Sequence, residues 1–114
     1  MANINNNVIG QKINGIIDRP VGSHHPNNPN ITYPINYGYI EGVFANDGEE
    51  QDVYVLGTNI PIKQFEGKVI AIYHRINDVE DKWIVSVDDK NYSDEEILEA
   101  IYFQEKYFKG YLIR

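Results

Sequence analysis

The sequence predicts an α+β domain, mostly β: a small curved sheet or barrel that carries one C-terminal helix. Three observations lead there. Short runs rich in Val, Ile, Tyr and Phe recur between turn signals from residue 8 to residue 87. A single capped helical pattern follows, over about 93–109. Strands in succession and then a helix do not form the alternating pattern of a parallel α/β sheet. With 114 residues, one domain spanning 1–114 is expected, its sheet-forming part at about 8–92.

Residues 1–7 are Asn-rich and are expected to fray. VIGQKINGIID, 8–18, reads as one or two short strands. RPVGSHHPNNPNITYP, 19–34, is barred from helix by its prolines and reads as a long irregular loop. Loops of that length in small domains are commonly functional. INYGYIEGVF, 35–44, and DVYVLG, 52–57, read as strands, and GTNIPIKQFEG, 57–67, as turn and loop. KVIAIYHRI and KWIVSV are β-rich runs joined by NDVEDK, a hairpin-like loop. KNYSDEEILEAIYFQEKYFKG, 90–110, holds the helix. Ser93 is placed to cap it, with Glu96 three residues on completing a capping box. Ile97, Leu98, Ile101, Tyr102, Glu105 and Phe108 keep helical spacing, so this face is expected against the sheet. Gly110 is expected to end the helix.

Composition narrows the chemistry. Hydrophobic residues make up 42% of the chain, enough for a core. The core is modest at this length, which leads to the expectation of a homo-oligomer. The net charge of -7 argues against nucleic acid and anionic membrane as partners and suits divalent cations. Without cysteine there is no disulfide, thiolate nucleophile or zinc–thiolate site. The polar N-terminus shows no signal peptide, and no run nears the roughly 18 apolar residues of a membrane span. A cytoplasmic location is the expectation.

The densest chemistry is DGEEQD, 47–52. Asp47, Glu49 and Asp52 follow one another across a Gly-containing turn that lets alternate side chains converge. Carboxylates held together repel, and so call for a cation or a shared proton. Oxygen-only ligation suits Mg²⁺ or Mn²⁺, not zinc. An acidic turn bathed in solvent accounts for the same residues. Asp78, Glu80 and Asp81 form a second acidic set in another inter-strand loop. Arg19 and Lys82 offer cationic phosphate clamps, or surface ion pairs. Of nine tyrosines, Tyr33, Tyr37 and Tyr39 cluster in YPINYGY, either as core or as hydroxyls aimed at an anion. His24 and His25 are adjacent, so their side chains point apart in an extended loop, and His74 sits in a β-rich run as a structural residue. There is no Gly-rich phosphate loop, no GxSxG elbow and no HExxH.

These residues resemble a known family. IDRP, YPINYGYI, DGEEQDVYVLG, ND…DK and FQEKYF occur in the order found in family I soluble inorganic pyrophosphatases. The resemblance covers about 16–108, apart from the loop at 20–31. It implies a five-stranded OB-type barrel with a flanking helix, Mg²⁺ as cofactor, and hydrolysis of pyrophosphate to two phosphates. It further implies Asp47, Asp52 and Asp78 as metal ligands, with Asp81 or Glu80 as the last. Glu49 falls where an aspartate assists the attacking water, and Arg19, Tyr37, Lys82 and Tyr107 fall on phosphate contacts. The family also carries a glutamate and a lysine on strands before the Arg19 position, whereas residues 1–17 here contain no acid and only Lys12 as a base. Phe108 stands where the family has lysine. The alternative expectation is therefore a degenerate pyrophosphatase-like module that binds phosphate, nucleotide or a protein partner without turnover.

Overall fold

The computed structural model describes residues 6–45, 47–76 and 80–114, with backbone alone for Asn6. After a 3-10 turn at Asn6–Val8 the chain forms β1 (Lys12–Arg19), β2 (His24–His25), β3 (Asn28–Thr32), β4 (Asn36–Phe44) and β5 (Glu50–Leu56). Then come β6 (Gln64–Arg75), β7 (Asp81–Ser86), α1 (Asp94–Glu105) and β8 (Gly110–Ile113). The main sheet runs β1-β4-β5-β7-β6-β8, and a further β1–β6 pairing closes its first five members into a barrel. This is the OB-like barrel with a C-terminal helix that the family resemblance implied. Pairings within the ring are antiparallel except β5–β7, which is parallel.

Strand alternation sorts the core into two layers. Ile17, Ile40, Val53, Val55, Phe65, Val69, Ile72 and Val85, from all five barrel strands, form one buried cluster in the barrel interior. Tyr37, Tyr54, Leu56, Ala71, Tyr73 and Ile84 lie on the opposite face, packed with Ile97 and Ile101 of α1. β5 is thus buried on both faces, which explains its unbroken apolar run. β6 changes parity at the irregularity between Val69 and Ala71, so that Val69 and Ile72 both point inward. Gly38 is required where β4 crosses β1, since a Cβ there would run into the Ile16 carbonyl oxygen.

Four sequence-based expectations are corrected. The stretch 19–34 is not wholly irregular: β2 and β3 pair as a short hairpin. β6 begins at Gln64, inside the segment expected to be loop. The helix ends at Glu105, capped by Lys106, and Gly110 instead opens β8. Half of the expected helix face is not buried. Leu98, Tyr102 and Phe108 are 42%, 64% and 39% exposed, whereas Ile97, Ile101 and Glu105 are buried as expected and are joined by the polar Gln104. The Ser93–Glu96 capping box is present as expected. Among the described residues no helix is long and apolar enough to cross a membrane.

Candidate active site

On the helix-facing side of the sheet the strands open a cleft of about 420 Å³. Register decides which side chains face it. Tyr37 on β4 pairs with Tyr54 on β5. Tyr39 pairs with Asp52, which therefore shares the face of Tyr54. Lys82 shares the outward parity of Ile84 on β7, and Arg75 that of Tyr73 on β6. Arg19 reaches the same face through a bulge. Ile17 lies opposite Gly38, but Arg19 lies opposite Tyr37, so an extra residue on β1 turns the guanidinium toward the cleft.

Lys82 is the centre of the charge arrangement. Its buried ammonium donates to Asp52 Oδ2 at 2.7 Å, to Tyr37 Oη at 2.9 Å and to Glu80 Oε1 at 3.1 Å. Burial, and next the Asp52 carboxylate, push the Tyr37 hydroxyl well above the ordinary tyrosine range, so it stays protonated. Burial also raises the Glu80 carboxyl, against the pull of Lys82 and Arg75. Arg75 bonds Glu80 at 3.3 Å and lies 3.6 Å from the centroid of the Phe108 ring. Arg19 sits over the Tyr37 ring and donates to the Tyr33 hydroxyl at 2.7 Å. Tyr107, Phe108 and His25 complete the rim.

The cleft thus gathers Arg19, Tyr37, Asp52, Lys82 and Tyr107 from the sequence-predicted set. Asp81 is not among its lining residues. One position before Lys82, it faces the other side of β7 and bonds His74 Nδ1 at 2.7 Å. Glu80, two positions before Lys82, occupies the cleft instead. Asp47 and Glu49 are exposed in the β4–β5 turn, where the Glu49 amide donates to Asp47 Oδ1 at 2.9 Å and Gly48 takes φ 83°. Neither lines the cleft. Asp78 lies outside the described residues. Among the described residues no three His, Asp or Glu side chains group so as to hold a metal ion.

Behind the cleft Arg75 pairs with the buried Glu105 at 2.7 and 2.8 Å, and Gln104 bonds the Tyr54 hydroxyl at 2.7 Å; none of these contacts was read from the sequence. Arg75 was readable only as one base in a β-rich run, and Glu105 as an acid out of place on an apolar helix face. That misplaced acid was the available signal for a buried cationic partner.

The family model for inorganic pyrophosphatase matches residues 19–110. No curated protein matches the chain. Among solved structures, the chain is similar to an inorganic pyrophosphatase from Neisseria gonorrhoeae, at 22% identity and a TM-score of 0.66, with 86% of this chain and 74% of that chain covered. It is similar to one from Ehrlichia chaffeensis at 17% identity and TM-score 0.66, covering 96% and 88%. A third, from Coxiella burnetii, gives 18% identity and TM-score 0.66, covering 97% and 89%.

Proposed function

The chain belongs to the inorganic pyrophosphatase family, and from that premise we propose that it hydrolyses inorganic pyrophosphate to two phosphates in this cleft. The observation that carries the reading is the convergence of two carboxylates, three cationic side chains and a protonated tyrosine on one side of the sheet. Arg19 and Lys82 match the charge that accumulates on phosphate oxygens as the bridging bond breaks. Tyr37, held protonated, is a neutral donor to the same oxygens, and Tyr107 a further phosphate contact at the rim. Packing and hydrogen bonds fix Arg19, Tyr37 and Lys82 before substrate arrives, which lowers the reorganisation needed at reaction.

Members of this family generally use a divalent metal, and the donor chemistry here suits Mg²⁺ or Mn²⁺. Asp52 and Glu80 are hard oxygen donors that already face a common cation, the Lys82 ammonium. In this reading they would hold the metal, with Glu80 taking the role otherwise given to Asp81. The family resemblance would add Asp47 and Asp78 as further ligands and Glu49 as the carboxylate that orients water; in the structure Asp47 and Glu49 stand in the β4–β5 turn and do not line the cleft. When bound, such an ion lowers the pKa of a coordinated water toward neutrality. The homo-oligomer expected from the chain's size belongs to this reading, and light scattering checks it.

Phosphate release from pyrophosphate with Mg²⁺ tests the assignment. Glu80→Gln should lower the rate about a hundredfold, the scale of a misplaced catalytic group. Asp81→Asn should stay within about threefold of wild type. The reverse ranking would remove Glu80 from the site.

A second reading has support of its own. Lys82 ties up both Asp52 and Glu80, and residues 1–17 supply no acid. Both favour a module that binds phosphate, nucleotide or a partner without turnover. Calorimetry with pyrophosphate, Mg²⁺ and nucleotides separates the two, since tight binding without phosphate release fits only this alternative.

A further inference from the structure

Resting on the diphosphate reading of the cleft, we propose that Gln104 is a positioning residue. It sets Arg19 for a substrate phosphate through the Tyr33 hydroxyl, and ties that arginine to Arg75 across the cleft.

The two arginines are the ends of one hydrogen-bonded chain. Arg19 Nη1 donates to Tyr33 Oη at 2.7 Å, and Tyr33 donates to Gln104 Oε1 at 2.7 Å. Gln104 Nε2 donates to Tyr54 Oη at 2.7 Å, and Tyr54 donates to Glu105 Oε2 at 2.5 Å. Glu105 accepts from Arg75 Nη2 at 2.7 Å and, through Oε1, from Arg75 Nε at 2.8 Å. The direction of every bond follows from the chemistry of the ends. A guanidinium only donates, so Tyr33 must accept from Arg19 and spend its own proton on Gln104. That turns the amide so that its NH₂ faces Tyr54, whose proton is then left for the carboxylate.

Tyr33, Tyr54, Gln104 and Glu105 are all buried. Among the described residues no buried side-chain polar atom lacks a partner. A buried polar chain is costly unless complete, and a complete one fixes its members in one arrangement. Apolar residues would fill the same space between helix and sheet. What this chain adds is a set spacing between two cationic groups that both line the cleft. Such a pair suits two phosphates joined by one bridging oxygen. Among the described residues no carboxylate is bonded to Arg19; its hydrogen-bond anchor is Tyr33, and Tyr33 answers to Gln104.

The test compares wild type with Gln104→Leu, which keeps the volume and removes both amide bonds. KM for pyrophosphate should rise about tenfold, the scale of one lost charge-assisted hydrogen bond. The turnover number should fall by no more than about threefold, because most of the charge that Arg19 meets is already on the phosphate oxygens of bound pyrophosphate and only the part that builds as the bond breaks reaches this number. Calorimetric Kd for pyrophosphate should weaken by the same factor, and this readout needs no turnover. Ile101→Val, on the same buried helix face, controls for lost stability and should leave KM unchanged. Tyr33→Phe removes one oxygen and little volume, and should reproduce the rise in KM even if Gln104→Leu does not fold. In the Tyr33→Phe background, Gln104→Leu should add less than about twofold. Unchanged KM and Kd in these variants, with a wild type that binds pyrophosphate, would overturn the positioning role and leave the diphosphate reading standing. A wild type that does not bind pyrophosphate would overturn both.

Discussion

Replacing Glu105 by Gln should destabilise the protein more than any surface charge change. The Glu105 and Arg75 side chains are 3% and 5% exposed and meet through two bonds of 2.7 and 2.8 Å. The carboxylate also accepts from Tyr54 at 2.5 Å. The amide keeps the shape but removes the charge, and one of its two acceptors becomes a donor facing a donor. Breaking one side of a buried pair leaves an uncompensated charge and costs about 3–5 kcal/mol. Contact between Arg75 and Glu80 offsets part of that, which places the expectation near about 3 kcal/mol. At about 4 °C per kcal/mol for a chain of this size, the thermal midpoint should fall by about 12 °C. Chemical denaturation with a double-mutant cycle measures it. Arg75→Met with Glu105→Gln together should recover much of the loss, since the buried cation that lost its closest carboxylate is gone. A loss below about 1 kcal/mol, or a double variant as weak as the sum of the singles, would refute the claim that the pair is buried and coupled.

Two further outcomes concern stability. Tyr37 and Tyr54 are held well above the usual tyrosine value, mainly by burial. An acid whose folded pKa is raised contributes stability that is whole below its unfolded value and is lost as pH rises above it. The denaturation midpoint should therefore hold steady to about pH 9 and fall above about pH 10, with Tyr54→Phe flattening that fall. Ser93→Ala should cost about 1 kcal/mol, because it removes the side-chain acceptor of the Glu96 amide at the start of α1. Calorimetric melting measures that loss, and Ser93→Asp should restore most of it.

What could be read from the sequence followed from how local each signal is. Tyr37, Asp52 and Lys82 stand in short motifs whose residue types already state their chemistry, and all three meet in the cleft. Arg19 was named too, but its direction depends on a bulge against β4, which depends on a pairing partner some 20 residues away. Glu80 and Asp81 were indistinguishable because a strand's period of two assigns faces only once its first residue and register are known. The inward face of α1 was half legible: Ile97, Ile101 and Glu105 are buried as their spacing suggests, while Leu98 and Tyr102 beside them face solvent. The polar Gln104 takes an inward place because its partners and those of Glu105, namely Tyr33, Tyr54 and Arg75, come from elsewhere in the chain. The hairpin at 24–32 was hidden by prolines, which it accommodates because it lies outside the barrel. β8 has only four residues and its strand character comes from pairing with β6.

The most direct test of the central claim is phosphate release from pyrophosphate in Mg²⁺, measured for wild type and Asp52→Asn in parallel. Asp52 accepts from Lys82 at 2.7 Å and faces the cleft, so the variant removes a charge at the centre of the site while keeping its volume. The account predicts metal-dependent release by wild type and a loss of about a hundredfold in the variant. No release by wild type under Mg²⁺ or Mn²⁺, or release unchanged in Asp52→Asn, would contradict it.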